Sequence, residues 1–245
     1  NTLVNKGCQS SINKYLDSIK NGASSSIYLQ VTGTPQAIFL QTMASGWHPY
    51  FTHYFEPGSA YLGGDFFFPK NRTADCISYL EKITKPERQV VLHHLAVSGQ
   101  ILAAGGKTCN CLLHPSVRQA VHSKYAKAMA AELTWCLEHL NDEFKDALEK
   151  EYATLNPQKA SKVDFDTLFA AVKNLLETNA VKVIVMNGKN DVDSAEYSSG
   201  SNIIIGGNTL GRGVTFPGLH TIYYTRTSKK PQADTMWQHS RMFGY

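Results

Sequence analysis

The sequence predicts an α/β fold, a parallel sheet flanked by helices, with a long helical elaboration. Three observations carry that expectation. From Cys109 onward, short apolar runs of β-prone residues alternate with amphipathic helical runs, the order expected of a parallel, doubly wound sheet. Glycine, proline and asparagine pairs punctuate the junctions between those runs. The chain has 245 residues, 42% hydrophobic and 18% charged, enough to bury a sizeable core at ordinary globular composition.

The elements follow in order. Ile12, Tyr15, Leu16 and Ile19 fall at helical spacing, and Asn21-Gly22 ends that helix. Ser26 to Val31 reads as a strand stopping at Thr32-Gly-Thr-Pro35. Pro35 pushes Thr34 out of helical geometry and can itself open a helix. The glycine- and aromatic-rich run from Glu56 to Phe68 is loop. Pro86 starts a helix that Gly105-Gly106 closes, and Cys109 to His114 is a short strand. After Pro115-Ser116, one apolar stripe runs from Val117 through Tyr125, Met129 and Leu140 to Tyr152, ending at Asn156-Pro157. As one unbroken helix it would span about 50 Å. Leu168 to Leu176 is a further helix. Val181 to Met186 is a strand ending at Asn187-Gly188, and Ile203 to Ile205 and Thr221 to Tyr224 complete the set. There is no internal repeat and no low-complexity tract.

Composition narrows the function classes. No apolar run approaches the ~20 residues needed to cross a bilayer, so no membrane partner is expected. A net charge of +4 permits a nucleic-acid partner without arguing for one. The five cysteines include one close pair, Cys109 and Cys111, and no second pair completes a tetrahedral zinc site. Reduced thiols in a cytoplasmic protein are the expectation. The chain opens at Asn1 without methionine and stops at Tyr245 inside a predicted helix, and it reads as a piece of a longer protein.

Several motifs dissolve on inspection. Gly105-Gly-Lys-Thr108 lacks the earlier glycine, the preceding strand and the following helix of a phosphate loop. A helix cap leading into a strand explains it. His122-Ser-Lys124 and Glu143-Phe-Lys145 resemble nuclease fragments but lie mid-helix without their aspartates, and both read as solvated helix positions. No Ser-His-Asp signature is present, and the nine histidines show no metal-ligand spacing.

The carboxyl edge of the predicted sheet is different. Ligands of open parallel sheets meet the loops there, and Ser116, Asn187-Gly188 and the Gly206 to Gly213 loop all fall on it. Within that loop the glycines, Gly211 and Gly213 among them, allow close backbone approach to phosphate oxygens, and Arg212 adds a charged fork. Alone, the loop is equally a tight turn with a surface arginine. One strand later, Asp234, Gln238 and Arg241 fall at i, i+4 and i+7 on one helical face. Arg241 alone reads as a surface residue, but the order of loop and helix tilts both toward function.

Taken together these residues resemble motifs V and VI of superfamily-two helicases, and most of the chain resembles the Z-one domain family. That family comprises helicase-like ATPases of bacterial restriction and DNA-repair systems, under a name that says endonuclease. Val31-Thr-Gly-Thr-Pro-Gln-Ala is similar to the family's motif III, and Glu56-Pro-Gly with Tyr61-Leu-Gly-Gly to its next signature. Leu112-Leu-His-Pro-Ser116 is similar to motif IV, Gly206-Gly-Asn-Thr-Leu-Gly-Arg-Gly-Val-Thr to motif V, and Gln238-His-Ser-Arg-Met-Phe-Gly-Tyr to motif VI. Ser240 departs from the glycine expected before Arg241, and a further family arginine would follow Tyr245.

The resemblance implies a RecA-like architecture. Residues 1–107 would be the end of a first lobe with its connection, and residues 108–245 a second lobe with a helical insertion over about 117–160. The whole protein would be an ATP-dependent DNA translocase. ATP and Mg²⁺ would be its cofactors, held by motifs preceding Asn1, and neither is expected on this chain alone. Arg241 would stabilise γ-phosphate charge as an arginine finger, Gln238 would position nucleotide, and Arg212 would couple phosphate to nucleic acid. Gly211, Gly213 and Asp234 would line the nucleotide site. Thr32 and Thr34 would link lobe movement to DNA, while Ser116, Asn187, Gly188 and Asn208 would line the strand path. No nuclease motif is present, so cleavage would belong to a nuclease subunit or domain elsewhere. A non-enzymatic scaffold and an RNA-directed helicase are the rival readings.

Overall fold

A computed structural model describes residues 11–32, 47–59, 61–157, 161–187, 192–211 and 214–227. The chain divides into two units, the larger running from Ile77 to Lys229. In the smaller unit the described helices are α1, Ser11–Gly22, and a single turn, α2, Gly64–Phe67. Ser26 to Gln30 takes no regular structure, and Ile27, Leu29 and Val31 are 100%, 79% and 89% exposed. The predicted strand there is not formed. A strand needs a neighbour for its peptide groups, and none of the described strands pairs with it.

The larger unit holds the sheet. Helix α3, Pro86–Ala103, begins with proline in its first turn, where a missing N–H costs nothing. It ends at Gly105, whose φ of +86° is the left-handed conformation that closes helices. The Gly-Gly-Lys-Thr run is thus a helix cap, as expected. Strand β1, Thr108–His114, follows, and after it come helices α4, Gln119–Glu138, α5, Asp142–Thr154, and α6, Phe165–Glu177. Strands β2, Val181–Met186, β3, Gly200–Gly206, and β4, Leu219–Tyr224, complete a four-stranded sheet in the order β2-β3-β1-β4. All three strand pairings are parallel.

The expected 50 Å helix is two helices. Asn141 leaves helical geometry and its side chain accepts a hydrogen bond from the Glu143 amide, which makes it the N-cap of α5. Glu143 then occupies the first turn, where the helix dipole favours negative charge. The apolar stripe passes over the break without recording it, and its first member, Val117, is exposed.

Pleating sorts the strand residues between two faces. Cys111, Leu113, Ile203 and Ile205 share one core with Val91 and Leu95 of α3, Met129 of α4, Phe144 and Leu148 of α5 and Leu168 and Val172 of α6. Leu112 and Ile204, paired side by side and fully buried, face the other way. Leu210 from the β3 exit lies on that side, against Gly206. Helices α3 to α6 therefore share one core on one face, and the second helical layer of a doubly wound sheet is not among the described residues. The architecture is α/β, a parallel sheet flanked by helices.

Candidate functional site

Because the strands are parallel, their carboxyl ends define one edge, and the chain leaves it at Pro115-Ser116, Asn187, Gly207-Asn208 and Thr225-Arg226. Two glycines compress it. A Cβ on Gly206 would lie 2.6 Å from the Met186 carbonyl oxygen, and one on Gly207 would lie 3.1 Å from the Ser116 carbonyl oxygen. The first distance is too short for any side chain and the second is tighter than a Cβ contact ordinarily is, so glycine permits close approach at both positions. Gly206 presses the β3 exit onto the end of β2, and Gly207 presses it onto the exit of β1. Three strand exits meet there.

His122, on the second turn of α4, seals that junction. Its Nε2 donates to the Ser116 carbonyl oxygen over 2.6 Å, and its ring lies where a Gly207 side chain would go. The ring is buried, which corrects the expectation of a solvated helix position. On the other flank, Arg226 donates from Nη1 to Asn208 Oδ1 over 2.8 Å. The Thr225 amide donates to the His114 carbonyl oxygen over 3.3 Å. The Ser116 hydroxyl accepts from the Arg118 amide over 3.2 Å, fixing the turn into α4. Burial raises the Tyr224 phenol above its ordinary range, against a smaller opposing pull from Arg226, so it is a neutral hydroxyl at this edge.

The edge offers amides, a hydroxyl and a guanidinium, and these are donors for anionic oxygens. Among the described residues no group of histidine, cysteine and acidic side chains could hold a metal ion. The nearest approach to a nucleophile and base lies at the opposite, amino edge. There Ser201 Oγ is 3.0 Å from His94 Nε2 and 2.9 Å from Ser98 Oγ. All three side chains are 0% exposed, so no substrate reaches them. Burial, with His93 and His220 adding repulsion, lowers the pKa of His94 to about 3. Burial pushes the Cys109 thiol up to about 11, against a smaller opposing contribution from its Ser98 hydrogen bond. Both groups are neutral and structural.

Of the residues singled out from sequence, Ser116 and Asn187 lie half-buried at this edge and Asn208 lies exposed there. Gly211 ends the 3₁₀ turn Asn208–Gly211 that follows β3. Thr32 is exposed in the other unit. Thr34, Gly188, Arg212, Gly213, Asp234, Gln238 and Arg241 lie outside the described residues. The sequence alone did not single out Arg226, it gave His122 as a solvated helix position, and it placed Gly207 at this edge only as part of the Gly206 to Gly213 loop. The signal for Arg226 was present, since a parallel β4 must deliver its carboxyl end to this edge. His122 gave none, because its partners are set by topology.

A family model described as the Z1 domain matches residues 90–245, and the chain belongs to that family. No curated protein and no solved structure matches the chain. Among the described residues no helix is long and apolar enough to cross a membrane.

Proposed function

We propose that this member of the Z1 domain family is a RecA-like lobe of an ATP-dependent DNA translocase, and that its carboxyl edge contacts the nucleic-acid backbone. The observation that carries the reading is the meeting of three strand exits at Gly206 and Gly207, which gathers Ser116, Asn187 and Asn208 with Arg226. Neutral donors with one guanidinium suit repeated phosphate contacts that ignore base sequence. The polar edge lies on a helix-backed sheet, a rigid support for a track whose register must hold while lobes move.

ATP and Mg²⁺ enter through the family resemblance. The described residues make no triphosphate cradle: the Gly-Gly-Lys-Thr run caps α3 at the amino edge, away from the strand exits. Arg241, Gln238 and Arg212 are the proposed nucleotide-facing residues, and hydrolysis would supply the movement. Phosphoryl transfer of this kind depends on positioning and charge stabilisation, with little covalent work for the protein. Cleavage of DNA would belong to a partner nuclease.

The test is a titration of labelled single- and double-stranded DNA into the full-length protein at two salt concentrations. Sequence-independent, salt-weakened binding is expected, with Ser116→Ala/Asn208→Ala weaker by about tenfold through two lost donors. No binding at low salt would favour the scaffold reading, and preference for RNA the RNA-directed one.

A further inference from the structure

The carboxyl edge is held by a residue that makes no outward contact of its own. We propose that His122 is the positioning residue of this edge, locking the β1 exit to the β3 exit and so setting the spacing between Ser116 and Asn208. The inference rests on the reading of the edge as a nucleic-acid contact.

Its geometry is a three-way junction. The ring stands on α4, its Nε2–H ends on the Ser116 carbonyl oxygen at 2.6 Å, and a Cβ on Gly207 would lie 3.2 Å from Cε1 and 3.3 Å from Nε2. Helix, β1 exit and β3 exit thus meet at one imidazole that is 2% exposed. The Ser116 carbonyl oxygen can only accept, so Nε2 is the donor of this bond. Nδ1 is buried without a hydrogen-bond partner among the described residues. A leucine would fill that volume with no buried polar atom left over. The donor to Ser116 is what an apolar residue could not supply.

Ser116 is held twice, through its carbonyl by His122 and through its hydroxyl by the Arg118 amide. Losing the imidazole frees the first of these and opens space beside Gly207. The β3 exit then has room to shift, and Asn208, the next residue, shifts with it. Two donors that must meet successive phosphates would lose their mutual register while each remained present.

The experiment uses full-length His122→Ala, His122→Gln and Gly207→Ala, each with a thermal melt, a dissociation constant for single-stranded DNA, and the DNA concentration giving half-maximal ATPase activity. His122→Ala should weaken DNA binding and raise that half-maximal concentration by about tenfold, with turnover at saturating DNA nearly unchanged. His122→Gln, which keeps a side-chain N–H donor, should recover most of the loss. Gly207→Ala should reproduce the loss from the other side of the contact. A well-folded His122→Ala with wild-type DNA affinity overturns the proposal. Should His122→Ala fail to fold, wild-type affinity in Gly207→Ala does the same. Wild-type protein that binds no DNA removes the functional reading and this proposal together, whereas wild-type binding with unaffected variants removes the positioning role alone.

Discussion

The two edges of the sheet are built from the same strands and solve opposite problems. At the amino edge, polar side chains turn inward and bond one another. Asn110 donates to the Tyr197 and Pro217 carbonyl oxygens at 2.9 and 2.6 Å, and it accepts from Asn202 at 2.8 Å. With His94, Ser98 and Ser201 these residues are buried almost completely. At the carboxyl edge, β3 ends in the glycine pair Gly206-Gly207, and the polar groups of Ser116, Asn187, Asn208 and Arg226 lie half-buried or exposed. A buried polar network fixes which strands pair and in what register. An edge left polar, glycine-lined and accessible has donors to offer a ligand. Stability and function are thus separated along the length of the same four strands, and each can be attacked alone.

The largest effect is expected at the amino edge. Asn110→Ala removes the donor to the buried Tyr197 carbonyl oxygen and to the Pro217 carbonyl oxygen, and the acceptor for Asn202. A loss of about 2–4 kcal/mol in unfolding free energy is expected, read from denaturant midpoints at constant slope. The DNA affinity of the fraction that folds should not change. Altered affinity at full occupancy of the folded state would mean that the two edges are coupled.

Acid should find the same edge next. His94 has its pKa lowered from 6.5 to about 3, chiefly by burial, and burial lowers His220 as well. The unfolded chain therefore binds protons that the native chain refuses. The His94 contribution is complete above about pH 6.5 and is lost as pH falls toward 3, at about 1.4 kcal/mol per unit. His94→Gln should flatten the acid limb of a stability-against-pH curve by about one proton. An unaltered slope in that variant would place the titration elsewhere.

What the sequence made legible divides along the same line. Strands β1 to β4 and helices α3 and α6 were readable because Pro86, Gly105 and Asn187 mark their ends and apolar runs fill them. A long stripe hid the break at Asn141, since apolar spacing continues across it while Asn141 leaves helical geometry and caps a new helix. Ser26 to Val31 has the composition of a strand and lacks a paired neighbour, so composition alone misled. At the candidate site, Ser116, Asn187 and Asn208 were legible from the rule that ligands meet strand ends. His122 was not: a histidine six residues after a serine has no meaning until β3 brings Gly207 between them. Contacts made by topology leave no spacing in the chain.

The smallest effect is expected at Arg226. Its guanidinium donates to Asn208 at the carboxyl edge, just past the end of β4. Removing that charge should change unfolding free energy by no more than about 0.5 kcal/mol, the usual range for a substitution away from the core. If the edge contacts phosphates, the same charge releases a counterion on binding. Arg226→Gln, which keeps an amide donor for Asn208, should then lower the slope of log affinity against log salt by about 1 and weaken all DNA sequences alike. The comparison is between full salt titrations of wild type and variant beside a thermal melt. Equal slopes with equal melts would leave Arg226 as a brace for Asn208 and assign the backbone contacts to the uncharged donors.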